Sequence, residues 1–486
     1  MPEVSDKEVV LSLISHTNVG KTALARTLLR RDVGEVADSA HVTLVPEAYP
    51  LIESGERRAL LWDTPGFGSN LAKLAKRLRA SDNPVGWILH QVWDRATDRS
   101  LWCSQEAIRN VQSEADVVLY LVDASQSPAE TGYIDLEIDV VEWIGKPVLV
   151  FLNQTGAPDP ERDARNEQAW RAHLSGHRIV KEVSTLDAFT RCWTQEHEIF
   201  VKAAGVLSGG KRETARLLSE AWVSRQLDVF EDSVGMISEL AFFALADTEE
   251  LGAAGFLDKL RQLVRKGDRD RDFERAQRAM YARLSESTKE TVNRLIARHG
   301  LTGETANQIA AASRDAFAVK RNLEEPLMAA VGGVGAGLLG GLAADLAAGG
   351  MTFGGGALLG MLAGGATSFA LARGYNLTQT GTNRVRWTEP HFLDQVKSTV
   401  LLYLAVAHFG RGRGDWLDPV HNPAHWQRLV EERVAKDSGT WKSLWKAGAK
   451  IDDPAGLKKK LAKEFRGVLL GVLGDLYPES RGIFGK

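Results

Sequence analysis

Eight residues near the amino end, Ser15, His16, Thr17, Asn18, Val19, Gly20, Lys21 and Thr22, have the types and order needed to hold a phosphate chain. They follow the apolar run 9–14 and precede the helix-like run 23–29. In the pattern GxxxxGK(S/T), backbone amides wrap the phosphates, the lysine neutralises them and the hydroxyl ligates Mg2+. Gly20, Lys21 and Thr22 fill the last three positions, while Ser15 stands where a glycine normally helps the chain leave its strand. A second group, Asp63, Thr64, Pro65 and Gly66, follows the apolar run 59–62. A carboxylate there would hold Mg2+ through water, and the Gly66 amide can approach a terminal phosphate, so that the next loop senses its loss. Between the two groups, Thr43 is the candidate hydroxyl that completes Mg2+ coordination, with Ser39 as the alternative. The expected metal ligands are therefore Thr22, Thr43 and Asp63, and the residues acting on the reacting phosphate are Lys21, Thr43, Asp63 and Gly66.

These groups need a scaffold that brings strand ends together. The runs 9–14, 59–62, 117–122, 148–152 and 179–183 are short and apolar or β-branched, and longer mixed stretches separate them. That alternation predicts an α/β domain over 1–190, a mostly parallel sheet flanked by helices, with ligands at the carboxyl ends of the strands. The segment 67–116 is longer than a simple connection needs and reads as an insertion. From 191 to 325 no strand pattern is visible. Phe273, Ala276, Met280 and Leu284, then Val292, Leu295 and Ile296, recur at helical spacing and predict amphipathic helices.

Within 326–374 the composition changes. The stretches 327–344 and 353–372 carry no charge, approach the length that spans a bilayer, and repeat glycine every four residues at Gly333, Gly337, Gly341 and at Gly356, Gly360, Gly364. A Gly-rich hydrophobic helical hairpin is expected, and three readings stand: membrane insertion, a buried helix pair, or an element released by a partner or nucleotide. The region 375–486 reads as helical again. Its last helix starts after Asp452, Asp453 and Pro454 and carries Lys458, Lys459, Lys460, Lys463 and Arg466, as a surface helix or one lying on an anionic membrane.

Composition removes other classes. At 44% hydrophobic and 25% charged, the 486 residues fit neither a polytopic transporter nor a disordered chain. With 60 Lys and Arg against 63 Asp and Glu there is no basic field to draw nucleic acid. Two cysteines, Cys103 and Cys192, cannot form a disulfide framework, and the acidic start does not suit a signal peptide, so a cytoplasmic setting is expected.

The order of phosphate loop, switch threonine, Asp-Thr-Pro-Gly and a later Asn-containing loop resembles the translation-factor-related P-loop GTPases, and within them the Era/TrmE-like branch. Ser15 to Thr22, Asp98 to Trp102, Leu152 to Gly156 and Leu186 to Phe189 further resemble a bacterial subfamily with a C-terminal domain of unknown function. The resemblance implies GTP and GDP as ligands, Mg2+ as cofactor, and a base-recognition loop at Asn153 and Gln154, with Ser184 and Thr185 as the last nucleotide loop. The usual Asn/Thr-Lys-x-Asp is altered: Gln154 replaces Lys and Gly156 replaces the Asp that reads guanine, with Asp159 a substitute acceptor. Each lost charge-assisted bond would weaken discrimination by about 1.5–3 kcal/mol.

Phe67 stands where a water-orienting glutamine is found in other branches, which implies slow hydrolysis completed by dimerisation, by K+ near Asn18, or by a partner's residue. Arg95 and Arg99 are the in-chain arginine candidates, with salt-bridged surface roles as the alternative. The expected function is a slow GTPase switch coupling nucleotide state to a helical, membrane-associated domain through 327–372. A nucleotide-sensing scaffold and a ribosome-associated assembly GTPase are the alternatives.

Overall fold

The computed structural model describes residues 6–31, 33, 45–68, 71, 78–91, 98–155, 160–186, 192–251, 266–301, 377–380, 384–408 and 424–483. Thr43, Ser39, Arg95, Gly156, Asp159, 187–189 and the hairpin candidate 327–372 lie outside the described residues. The chain forms two compact units, the first reaching Leu227 and the second beginning at Asp228.

In the first unit, β1 (Glu8–Ser15), β2 (Glu47–Ser54), β3 (Arg57–Asp63), β4 (Val117–Asp123), β5 (Val148–Asn153) and β6 (Val180–Thr185) form one sheet in the order β2-β3-β1-β4-β5-β6. The β2–β3 pair is antiparallel and every other pair is parallel. The central strands are buried on both faces, which is why they read as continuous apolar runs rather than alternating ones. β2 gave no such signal because it is an edge strand containing Pro50 and two glutamates, with a register shift between Pro50 and Ile52.

Among the described residues, seven helices accompany this unit: α1 (Lys21–Leu29), α2 (Pro84–His90), α3 (Arg99–Ser113), α4 (Tyr133–Ile144), α5 (Pro160–His173), α6 (Trp193–Val206) and the first half of α7 (Gly209–Ala246). On one face Val9, Leu11, Leu13, Leu119 and Phe151 meet Leu24 and Leu28 of α1, Phe200 of α6 and Leu218 of α7. On the other, Ile14, Tyr120, Val122, Val150 and Leu152 meet Ile108 of α3, Ile138 and Val141 of α4 and Trp170 of α5. The second face also carries a buried polar pair, in which Ser12 Oγ donates to Asn110 Oδ1 at 2.8 Å.

Two boundaries differ from the sequence reading. The segment 67–116 contains α3, the crossover helix that a parallel connection between β3 and β4 requires. Beyond 190, α6 and the start of α7 pack into the sheet's own core, and Lys211 pairs with Asp116 at the foot of the sheet.

The second unit is mainly helical: the rest of α7, then α8 (Lys266–Arg298), α9 (Glu389–Ala407), α10 (Ala424–Lys436), α11 (Ser438–Ala447) and α12 (Pro454–Leu476). Ala276, Met280 and Leu284 of α8 form the expected buried stripe, packed with Leu240, Val385 and Trp387. Asp453 caps α12, its side chain accepting from the Gly456 amide at 2.9 Å, with Pro454 in the first turn. A small antiparallel sheet, β7 (Thr248–Glu250), β9 (Arg384–Trp387) and β8 (Leu377–Thr380) in that order, was not expected. β7 lies inside the region read as wholly helical; three polar residues at a sheet edge leave no alternating pattern to detect. No helix among the described residues is long and apolar enough to cross a membrane.

Phe200 is 1% exposed with its ring 5.7 Å from Trp222. Phe200→Ala is expected to cost about 3–5 kcal/mol, read as a lower denaturant midpoint for the first unit. Val201→Ala, at an exposed neighbour, is expected to change it by less than about 0.5 kcal/mol.

Candidate nucleotide-binding site

The carboxyl ends of the parallel strands fall at one edge. In register, Leu13 faces Asp63, Ser15 faces Leu121, Asp123 faces Asn153 and Leu152 faces Thr185. The order reverses at β1, between β3 and β4, and an open α/β sheet takes its ligand at such a switch point.

The loop 15–22 leaves β1 at this point and runs into α1. Ser15 needs no glycine-like backbone: it ends β1, is fully buried, and its hydroxyl accepts from Lys21 Nζ at 3.0 Å. The left-handed turns come later, at Asn18 (φ 66°) and Gly20 (φ 95°). A Cβ at Gly20 would lie 2.7 Å from Asn153 Nδ2, so glycine is required for space as well as for φ. Gly20 is the N-cap of α1 and supplies no side-chain cap, which leaves the first amides of the helix directed at the loop for an anion.

The second group closes over the first. Phe67 N donates to Ser15 O at 2.8 Å and Thr17 N donates to Phe67 O at 3.1 Å, carrying the β1–β3 pairing past Gly66 and into the first turn of the phosphate loop. Gly66 is held so close that a Cβ would stand 2.7 Å from Thr17 Cα and 2.9 Å from Lys21 Nζ. Thr64 Oγ1 donates to Leu13 O at 2.5 Å, fixing the turn after β3. Asp63 is 2% exposed, and Thr22 Oγ1 donates to its Oδ2 at 2.6 Å. A hydroxyl and a carboxylate side by side are hard oxygen donors of the kind Mg2+ takes, so Thr22 and Asp63 fit that ion. Phe67 is fully buried, and its ring joins the core of the second sheet face.

Burial pulls the Lys21 ammonium down to about 8, against the opposing pull of Asp63 and Glu137. The His16 side chain reaches outside both motifs: its Nδ1 lies 2.6 Å from Glu137 Oε1 on α4.

Asn153 ends β5, is fully buried, and donates from Nδ2 to Val19 O at 2.7 Å, tying the base-recognition segment to the phosphate loop. Gln154, at φ 59°, reaches Asn18 O at 3.4 Å from Nε2. Ser184 and Thr185 end the neighbouring strand β6; their hydroxyls are buried with no hydrogen-bond partner among the described residues, and Thr185 N donates to Glu167 Oε1 at 2.7 Å. The structure thus gathers Ser15, His16, Thr17, Asn18, Val19, Gly20, Lys21, Thr22, Asp63, Gly66, Asn153 and Gln154 around the loop, with Ser184 and Thr185 one strand beyond Asn153. Arg99 opens α3. Sequence reading missed Glu137, although a signal exists: it lies on the buried stripe of α4 with Ile134, Ile138 and Val141, a carboxylate at an otherwise apolar position.

A phosphate-wrapping loop, a buried Asp-Thr-Pro-Gly turn and an Asn-containing loop on this sheet define a P-loop GTPase domain. Residues 10–154 match the family described as 50S ribosome-binding GTPase, MMR_HSR1. Residues 178–464 match the family described as Domain of unknown function, DUF3482, and the chain belongs to that family. No curated protein matches the chain. Among solved structures it is similar to Aquifex aeolicus Era bound to GDP·AlF4−, at 20% identity and a TM-score of 0.28, over 37% of this chain and 51% of that chain. NFeoB from S. thermophilus gives 14% identity and a TM-score of 0.25, over 60% of this chain and 94% of that chain. An oligomerised bacterial dynamin pair gives 9% identity and a TM-score of 0.26, over 99% of this chain and 77% of that chain. The chain spans about half the length of the Era chain.

Phosphate binding favours charged Lys21. Below pH about 8 the lysine is already protonated; above it, binding must take up a proton. Nucleotide affinity is expected to fall as pH rises beyond 8, approaching about tenfold per pH unit, with proton uptake visible by calorimetry in buffers of different ionisation heat.

Proposed function

We propose that the chain is a slow GTPase switch in which loss of the terminal phosphate alters the 63–68 loop and, through it, the C-terminal helical region. The observation that carries this reading is the pair of backbone bonds joining Phe67 to Ser15 and Thr17. They make the segment after Asp63 a direct extension of the phosphate loop, so a group seated on one is felt by the other.

In this reading, the amides of 15–22 and the start of α1 bind the phosphates and Lys21 neutralises them. Asp63, Thr22 and Thr43 would hold Mg2+, which would offset charge on the phosphate oxygens. The Gly66 amide faces the terminal phosphate. Asn153 and Gln154 support the base pocket from the loop side, and Ser184 and Thr185 close it. Slow turnover is supported by Phe67, whose buried ring has no group to orient water. The same reading takes in K+ at Asn18, a second copy or protein partner that completes the site, and contact with the inner face of the membrane through 327–372.

The test is phosphate release from GTP in Mg2+ beside binding of GTP, GDP and ATP. Selective guanine binding with slow release is expected, and Lys21→Ala is expected to weaken binding by about 100-fold. Tight binding without release would favour the nucleotide-sensing scaffold. Equal binding of ATP would remove guanine selectivity, and no binding would overturn the reading.

A further inference from the structure

Glu137 is a buried carboxylate for which the switch cycle has no use. It is 2% exposed, on the face of α4 that packs against the sheet. Tyr120 OH, from β4, donates to its Oε2 at 2.6 Å. Its other oxygen, Oε1, lies 2.6 Å from His16 Nδ1, the distance of a bond that an Nδ1–H donates to a carboxylate oxygen. Tyr133, one turn earlier on α4, lies against the imidazole with ring centroids 4.3 Å apart. The four side chains join the phosphate loop, the central strand β4 and α4.

Burying a carboxylate is costly, and good hydrogen bonds only partly return that cost. Ile134, Ile138 and Val141 beside it show that the site would accept an apolar residue. Burial lifts the Glu137 carboxyl above its ordinary range, and the bonds from His16 and Tyr120 act against that lift. The geometry says what the carboxylate gains: His16 is the second residue of the loop, and its backbone already bridges to Phe67. The loop's first turn is therefore gripped from one side by the 63–68 segment and from the other by α4.

We propose that Glu137, acting through His16, is a positioning residue for the phosphate loop, fixing its first turn in the shape that receives the phosphates of a nucleoside triphosphate. This rests on the nucleotide-binding reading above. Its effect falls on affinity: the bonds exist before nucleotide arrives, so they lower the ordering cost of binding and are unchanged during the reaction.

The test compares GDP and GTP binding and steady-state turnover in the full chain carrying Glu137→Leu, Glu137→Gln or His16→Ala, and in the Glu137→Leu/His16→Ala double variant. Glu137→Leu is expected to raise Kd and KM about tenfold with little change in kcat, while its thermal midpoint stays level or rises. Glu137→Gln is expected to restore binding, since its oxygen still accepts from His16 and its amide can donate to the Tyr120 oxygen. The double variant is expected to be no worse than either single change, because both remove one interaction. A folded Glu137→Leu protein that binds as tightly as the parent would overturn the proposal, as would a loss confined to kcat. A parent chain that binds no nucleotide would overturn the underlying reading as well, which separates the two failures.

Discussion

The register of β1 against β3, with Leu13 opposite Asp63, is the constraint on which the site depends. It places Asp63 beside Thr22 and carries the chain into the Phe67 bonds with Ser15 and Thr17. A slip of one residue would turn Asp63 into the core on the wrong face and part the two loops. The pairing holds because alternate residues of both strands are fully committed to cores. Leu11, Leu13, Ala59 and Leu61 fill one face, and Ile14 of β1 and Phe67, just beyond the end of β3, fill the other.

Polar residues buried around this pairing have distinct tasks. Thr64 ties the turn after β3 to Leu13, Asn153 ties β5 to Val19, and Glu137 ties α4 to His16. Each bond joins a rigid element to a backbone segment that has no regular structure of its own. Two of these ties hold the phosphate loop itself, at His16 and at Val19, and its two left-handed residues, Asn18 and Gly20, flank the Val19 tie. Such a loop presents its amides without first having to fold around the ligand, which is what preorganisation contributes to binding.

Most of the first unit is legible in the sequence because its signals are local. The loop 15–22 lies between an apolar run and a helix, and Asp63 follows another apolar run. What escapes is non-local. The His16–Glu137 bond joins residues 121 apart, and no spacing rule links them. The lack of a strand pattern beyond 190 announces helices but not the body they cover, so the sequence does not show that the sheet's core extends past 190 to residues such as Phe200 and Trp222. β2 escapes because Pro50 and its glutamates suit only an edge, and β7 because three residues cannot show a period.

The most direct measurement of the central claim is hydrogen exchange at the amides of Thr17 and Phe67, which bond the two loops together. It would compare the chain alone, with GDP and Mg2+, and with a non-hydrolysable GTP analogue and Mg2+. Protection throughout 15–22 with either nucleotide, and a change at Phe67 that distinguishes GTP analogue from GDP, is the expected result. Protection at 15–22 with no difference at Phe67 between the two nucleotides would contradict a switch, and no protection at 15–22 would contradict the site.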